Sequence, residues 1–326
     1  MPRPTLLRRA AARLVPVAAA ALTLGACGGQ APAVAPAPGV TPTTCGTVTL
    51  ASNAWLGYDA NLAVIRYLAV NELGCTVKIR KAAEDDSWKQ VAAGSTDAIV
   101  ENWGHDELKK KYIDDERLIV EGGLTGNKGV IGWYVPPWMA KTYPDITDSR
   151  NLKKYTPLFK TEDSKGKGQF LGGDPTFVTN DGPLLRNLGL DFTVVYAGSE
   201  DALIKAFRAA ERDKTPLLGY FYSPQWLLSE LPLAHVTLPP YTPGCDADPK
   251  TVACDYQPFD LDKIMNRKFA QSGSPAAELI KNFQWTDADQ NEVARAINAG
   301  TPPDEAAKAW LDDHPKVWKK WLPAAQ

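Results

Sequence analysis

From residue 45 onward, short β-prone runs alternate with amphipathic helical segments, and this alternation limits the chain to a small set of folds. Thr47–Ala51, Thr76–Arg80 and Asp97–Val100 have the composition of strands, and Tyr58–Leu73 carries apolar residues at helical spacing. Because two parallel strands are joined by a crossing helix, this order predicts a mostly parallel sheet with helices on both faces.

The same strand–helix–strand order returns between Phe192 and Tyr222, after a break near Pro136. A polar, proline-rich stretch at residues 239–258 follows, and beyond it the sequence predicts helices only. The chain is therefore predicted to be an α/β protein of two lobes with a C-terminal helical segment. The predicted lobe 1 is residues 45–135 with 239–326, and the predicted lobe 2 is residues 136–238.

Residues 1–26 have the order of features that marks a bacterial export signal. An arginine-rich start precedes an apolar run, Leu14 to Leu24, which is too short for a permanent membrane span. The run ends in Leu24-Gly25-Ala26-Cys27, which looks like a lipobox, the motif whose cysteine is cleaved at its amino side and carries lipid. We predict a lipoprotein signal peptide at residues 1–26 and lipidation at Cys27. The alternative is an ordinary signal peptide with an incidental cysteine.

Residues 27–44 are rich in proline and alanine and have no apolar periodicity. Such a composition is typical of an extended, semi-rigid tether. The two segments together predict a protein held to the cell membrane by a lipid anchor, on its extracytoplasmic face.

Four further cysteines follow, an even number that suits an oxidising compartment: Cys45, Cys75, Cys245 and Cys254. Three pairings are possible. Because Cys245 and Cys254 close a short polar loop, we predict that they pair together, which leaves Cys45 with Cys75. The competing hypothesis is a metal site around Cys245 and Cys254, although the pair lacks the tight spacing of zinc ligands.

Charge and motif content argue against several function classes. A formal net charge of −2 gives no electrostatic basis for binding nucleic acid. The chain has 3 histidines and contains no nucleophile elbow, zinc-protease motif, P-loop or dinucleotide fingerprint. We therefore predict a binding protein without cofactor or metal rather than an enzyme. A secreted lipoprotein enzyme is the alternative.

Several blocks of the sequence, in order, carry a family resemblance. They are Val48–Trp55, Gly94–Trp103, Gly132–Pro136, Gly172–Pro175 and Gly219–Trp226. Together they resemble the solute-binding proteins of glycine betaine/choline-type ABC importers. The resemblance implies a two-lobed fold of the type II periplasmic-binding-protein kind and an ABC permease as partner. It also implies a small quaternary ammonium ligand of the glycine betaine or choline class, with carnitine or ergothioneine as alternatives.

The resemblance also implies an aromatic cage, since a trimethylammonium group has no N–H to donate and is attracted to aromatic faces. Trp55 and Trp103 match the cage positions of the first lobe, and Trp133 matches a further wall. Tyr222 stands where relatives often carry tryptophan, and Trp226 follows it, so either could face the ligand. Tyr222 is favoured because it ends a predicted strand. Core packing is the alternative for each of these side chains.

The polar end of the ligand has several candidate partners. A carboxylate would suit the backbone amides of the Gly172–Asn180 turn, where Asp174 and Thr176 are the candidate residues. A choline hydroxyl would need an acceptor, for which Asp59 and Glu101 are candidates because they lie close to the cage in sequence. Asp59 could instead cap the following helix, and Glu101 could instead pair with a base.

Overall fold

The computed structural model describes residues 45–174 and 180–324. The predicted signal peptide and tether lie outside these residues, and so do the predicted lipidation site Cys27 and the predicted ligand-binding residue Thr176. No helix of the described ranges is both long and apolar enough to span a membrane.

Within these ranges the chain forms nine β-strands and thirteen α-helices. The strands are β1 Thr47–Ser52, β2 Thr76–Lys81, β3 Ala98–Asn102, β4 Ile119–Val135, β5 Gly168–Gly172, β6 Phe192–Tyr196, β7 Gly219–Ser223, β8 Ala234–Val236 and β9 Phe259–Asn266. The helices are α1 Leu56–Asn71, α2 Glu84–Ala92, α3 Asp106–Lys109, α4 Pro137–Thr142, α5 Leu152–Tyr155, α6 Asp181–Asn187, α7 Glu200–Asp213, α8 Leu227–Glu230, α9 Arg267–Ala270, α10 Pro275–Asn282, α11 Asp287–Asn298, α12 Pro303–Asp313 and α13 Pro315–Trp318.

The long strand β4 joins two halves of the sheet, in the order β2-β1-β3-β9-β4-β7-β5-β6 with β8 also paired to β4. Its first part, Ile119–Gly129, pairs with β9. Its last part, Val130–Val135, pairs with β7 and β8. We call the strands on the β9 side, with their helices, the β9 half, and those on the β7 side, with their helices, the β7 half. The division into lobes stays a prediction, and β4 belongs to both halves.

The sheet is mixed rather than mostly parallel. In the β9 half, β1 is parallel to β2 and to β3, and in the β7 half, β5 is parallel to β6 and to β7. The alternating pattern predicts the first of these groups, whereas β5, which lies between the predicted strands β6 and β7, is not predicted. Strand β9 runs antiparallel to both β3 and β4, and β4 runs antiparallel to β7, so the centre of the sheet is antiparallel.

The prediction that only helices follow residue 258 is wrong, because β9 lies there. The sequence pattern does not indicate a buried strand here, because the charged residues Asp262 and Lys263 suggest exposure. Both are buried. Asp262 accepts a hydrogen bond from Lys109 at 2.6 Å, and the Lys263 ammonium group donates to the carbonyl of Phe283 at 2.5 Å. Charged side chains with polar partners therefore sit in the middle of the sheet.

The sequence pattern does not predict the first part of β4, since glycines interrupt its apolar residues. Gly126 has φ of +92°, and a Cβ there would meet the carbonyl oxygen of Trp285 at 2.3 Å. The close approach lets the strand run beneath the C-terminal helices. The pairing with β9 shifts register between Glu121 and Leu124 and again between Leu124 and Lys128, the interval that contains Gly126.

Helix α1 matches its prediction closely, and α2 does not. Gly74, with φ of +66°, follows the end of α1. The sequence predicts α2 over Ser87–Ala93 with Ser87 as its N-cap, but the helix begins three residues earlier, at Glu84, and its N-cap residue is Ala83. The early start is favoured by acidic residues in the first turn, which interact well with the positive end of a helix.

Both predicted disulfides are present, Cys45–Cys75 and Cys245–Cys254. Because Cys245 and Cys254 are disulfide-bonded, neither thiol is available for the alternative metal site.

The C-terminal helices α11 and α12 pack on α1, and the indoles of Trp285, Trp310 and Trp321 are buried.

Candidate ligand-binding site

A cavity of about 600 Å³ opens between the two halves of the sheet. Aromatic side chains from both halves line it: Trp55, Trp103, Tyr220, Tyr222, Tyr241, Tyr256 and Phe259. Such a cavity is within the usual size range for small-molecule sites. The cavity lies where strands β1, β3 and β7 end, which is where open α/β sheets place their ligands.

Two tryptophans of the β9 half stand shortly after strands. Trp55 follows β1 and precedes α1, and Trp103 follows β3. From the β7 half, Tyr222 reaches the same cavity, and its ring meets that of Trp103 edge to face at a centroid distance of 5.7 Å. The structure thus brings together three of the residues predicted for the cage.

Glu101 lies beneath the two tryptophans and holds them. Its Oε1 accepts hydrogen bonds from the indole Nε1 atoms of Trp55 and Trp103, at 2.7 and 2.8 Å. Its Oε2 accepts from the side-chain amides of Asn61 and Gln290. These four partners are indole and amide donors rather than a base.

Glu101 is almost fully buried, with 1% of its surface exposed. Burial raises its pKa to about 7, and the hydrogen bonds from Trp103, Trp55 and Gln290 act in the opposite direction. The nearby Glu200 raises the pKa further. A buried carboxyl group that changes charge close to neutral pH thus lies directly behind the aromatic wall.

The sequence does not point to Glu200, yet it contacts both halves. It is the first residue of α7 in the β7 half, and its Oε2 accepts a hydrogen bond from the backbone N–H of Leu56 in the β9 half at 2.8 Å. Its Oε1 accepts from the hydroxyl of Tyr222 at 2.6 Å and from the amide of Gln225 at 3.0 Å. Burial and the Glu200 charge raise the pKa of Tyr222 well above its usual value.

The stretch between β8 and β9 supplies another wall. Tyr241, Gly244, Asp246 and Tyr256 line the cavity, and the disulfide Cys245–Cys254 closes the loop that carries part of them. The sequence pattern indicates only a connection here. The signal that could have found the wall is a pair of tyrosines flanking a disulfide in an otherwise polar segment.

Trp133 lies in the core of the β7 half. It is fully buried, its indole donates to Asp181 at 2.9 Å and its ring packs on Phe170 at 5.0 Å. Tyr256 donates its hydroxyl to the same Asp181 oxygen. Trp133 therefore stands one layer behind the cavity wall, and the described lining does not include it.

Four other predicted residues are also absent from the described lining, namely Glu101, which lies behind it, and Trp226, Asp59 and Asp174. Trp226 is buried a few residues past Tyr222, with the Arg208 guanidinium over its ring at 5.2 Å. Asp59 is partly buried in the first turn of α1, and burial raises its pKa. Asp174 is partly exposed in the turn after β5.

The described lining is acidic. It contains Glu84, Asp106, Glu107 and Asp246 and neither lysine nor arginine. Its histidine, His105, bonds to Glu84 with 2.6 Å between Nε2 and Oε2. Burial lowers the pKa of His105, but the hydrogen bond and charge of Glu84 outweigh it, so the pKa is raised. No group of acidic, histidine or cysteine side chains among the described residues is arranged to hold a metal ion.

Comparison with known proteins identifies related sequences. Residues 46–313 match the family model described as the substrate binding domain of ABC-type glycine betaine transport system, OpuAC. The trimethylamine N-oxide-binding protein of Pelagibacter ubique (strain HTCC1062) is 29% identical over 198 residues, 58% of this chain and 62% of that protein. The glycine betaine/carnitine transport binding protein GbuC of Listeria monocytogenes is 27% identical over 123 residues, 38% of this chain and 37% of that protein. The aligned part is thus less than two thirds of either relative.

Solved structures share the fold. Lactococcal OpuAC, in its closed form with glycine betaine, has a TM-score of 0.68 at 22% identity, over 85% of this chain and 100% of that one. A choline-binding protein in complex with choline has a TM-score of 0.67 at 17% identity, over 86% and 92%. At these identities the likeness concerns the fold, and it confirms the predicted α/β fold class.

Proposed function

The chain belongs to the family of substrate-binding domains of ABC-type glycine betaine transport systems, and we propose that it is the solute-binding component of an ABC importer for a quaternary ammonium compound. The family match confirms the resemblance that the ordered sequence blocks suggest. Glycine betaine and choline define the proposed ligand class. The family consists of transport proteins, and we propose that this chain binds its ligand without transforming it.

The convergence of Trp55, Trp103 and Tyr222 on one cavity is the observation that supports this ligand class. A trimethylammonium group spreads its positive charge over methyl groups, and aromatic faces present negative potential to it. Each desolvated face contributes about 1–2 kcal/mol. Because Glu101 fixes both indoles from behind, the two rings are held in place before the ligand arrives.

Capture is proposed to involve closure of the two halves on the ligand. Among the described residues, the Trp103–Tyr222 ring pair and the Leu56–Glu200 hydrogen bond join the halves at the cavity. Opening must break both, and the long strand β4 offers the covalent connection about which the halves can rotate.

The partners and the location follow from the same proposal. The closed, loaded protein docks on a membrane permease, and residues 27–44 tether it to the extracytoplasmic face through lipid on Cys27. Mass spectrometry of the membrane-extracted protein tests the anchor. We expect lipid on an N-terminal Cys27 and loss of membrane association in Cys27→Ala; a protein that begins elsewhere contradicts it.

A trimethylamine N-oxide ligand is a second candidate, favoured by the relative of that name at 29% identity. Carnitine and ergothioneine remain alternatives with a quaternary ammonium group. Calorimetric titration with these compounds, glycine betaine, choline and, as a control, proline tests the proposal. Binding of at least one quaternary ammonium compound, and not of proline, is expected. Failure of all of them contradicts the proposed function.

A further inference from the structure

The Glu200 carboxylate occupies the backbone amide at the start of α1, an anion-binding position next to the cavity-lining residues Trp55 and Tyr222. From this geometry we infer that the cavity selects cations without a carboxylate group, of which choline is the model, over zwitterionic betaines. The inference rests on the proposed function, because it concerns the ligand of the same cavity.

The first amide of α1 is a natural anion site. The helix is 16 residues long, and its N-cap residue Trp55 provides no side-chain cap. The N-terminus of such a helix carries partial positive charge and N–H groups without helical partners, which favour an anion. Here the anion comes from the protein itself, since Glu200 accepts the hydrogen bond of Leu56 across 144 residues of sequence.

Glu200 is also held firmly in that place. Its second oxygen accepts from Tyr222 and Gln225, and the residue is 7% exposed. A ligand carboxylate at the start of α1 would have to displace Glu200 from Leu56 or lie against it. Two carboxylates in one poorly solvated site repel each other strongly.

Apart from its histidine, the rest of the described lining offers a carboxylate only neutral donors, such as the side chains of Asn180 and Gln257. It has no lysine or arginine, and its histidine is already bonded to Glu84. The sequence of residues 175–179, which adjoin the lining residue Asn180, contains no basic residue either. The acidic lining suits a cation, and a ligand hydroxyl would find acceptors among Glu84, Asp106 and Glu107.

Calorimetric titration of the full chain with choline and with glycine betaine tests the inference. We expect choline to bind at least about tenfold more tightly than glycine betaine at neutral pH. In Glu200→Gln, which removes the charge and keeps the size, we expect the choline-to-betaine ratio of affinities to fall by about tenfold.

The matched control is Asp201→Asn, on the next residue of α7. Asp201 is exposed and paired with Lys205, so the variant removes one negative charge from the same helix end without touching the cavity. We expect its affinity ratio to equal that of the wild-type chain.

Any other result contradicts a specific part of the account. Equal or tighter binding of glycine betaine by the wild-type chain overturns the inference and leaves the proposed function standing. No binding of either compound overturns the inference, and the proposed function falls with it only if the other candidate ligands also fail to bind. An unchanged ratio in a Glu200→Gln variant with a native circular dichroism spectrum overturns the role of Glu200. If that variant does not fold, the wild-type ratio alone decides the inference.

Discussion

Trp103 and Tyr222 meet edge to face at an interplanar angle of 87°, although they lie in different halves of the sheet. Trp103 follows β3 and Tyr222 lies in β7, so the proposed opening of the two halves would separate the corner that their rings form. A cation bound against this corner would contact one ring from each half. Ligand affinity and closure should therefore depend on the same pair of side chains.

Removing one ring should weaken ligand binding without unfolding the protein. Trp103→Ala deletes one aromatic face, worth about 1–2 kcal/mol, and should lower the affinity for the best quaternary ammonium ligand roughly tenfold. Calorimetry measures the change. Trp318→Ala is the control, because Trp318 bonds to the carbonyl of Leu311 in the C-terminal segment and does not line the cavity. Equal losses in the two variants would argue against a specific contact.

The ionisation of Glu101 should make cation binding depend on pH. With a pKa of about 7, its carboxyl group gains a proton as pH falls, and the attraction for a bound cation weakens. The bound cation in turn favours the ionised form. We expect affinity to drop by roughly three- to tenfold between about pH 8 and about pH 6.

Variants separate the contribution of Glu101 from that of His105, which also titrates and adds positive charge at low pH. Glu101→Gln should bind more weakly at high pH and show a shallower pH profile, with the remaining slope due to His105. Glu305→Gln removes an exposed acid of α12 and should keep the wild-type profile. An identical slope in Glu101→Gln would assign the titration elsewhere.

The two disulfides should differ in what they support. Cys245–Cys254 closes the loop that brings Gly244 and Asp246 to the cavity, so its removal in a double alanine variant should weaken ligand binding. Cys45–Cys75 spans 30 residues at the start of the β9 half and lies away from the lining. Its removal should lower the free energy of unfolding by about 3–4 kcal/mol and leave affinity unchanged. Urea unfolding and calorimetry on both variants check this, and the reverse pattern would contradict it.

Lys263 should make stability rise with pH. Burial lowers its pKa to about 7, below that of an unfolded lysine, so between the two values the unfolded chain binds more protons than the folded one. Stability from this group is therefore least below about pH 7 and grows toward about pH 10. Thermal unfolding of wild type and Lys263→Met tests it. The stability of Lys263→Met relative to the wild-type chain should fall as pH rises from about 7 to about 10; a constant difference would contradict the lowered pKa.

The family resemblance, together with the strand pattern, identifies part of the site. Trp55 and Trp103 are candidates because they match cage positions of the resembled family, and Tyr222 is favoured because it also ends a predicted strand. Trp133 also matches a cage position of the family, but its side chain packs in the core against Phe170 and donates to Asp181. Whether an aromatic residue faces a cavity or a core depends on packing partners that no local pattern contains.

Long-range pairing explains why other features escape sequence patterns. Glu200 has the sequence context of an ordinary first-turn acid, and its role depends on Leu56 in the other half of the sheet. Strand β9 contains two buried charged residues, and partners such as Lys109 for Asp262 and the carbonyl of Phe283 for Lys263 make their burial possible. In each case a polar group far along the chain supplies the partner, so the local sequence predicts the wrong environment.

The most direct test compares choline with 3,3-dimethyl-1-butanol, which has the same shape and no charge, by calorimetric titration of the wild-type chain. If an aromatic cage recognises the cationic head, choline should bind at least about a hundredfold more tightly than the neutral analogue, because two or more aromatic faces lose their attraction. Binding of the neutral analogue as tight as that of choline would contradict the account.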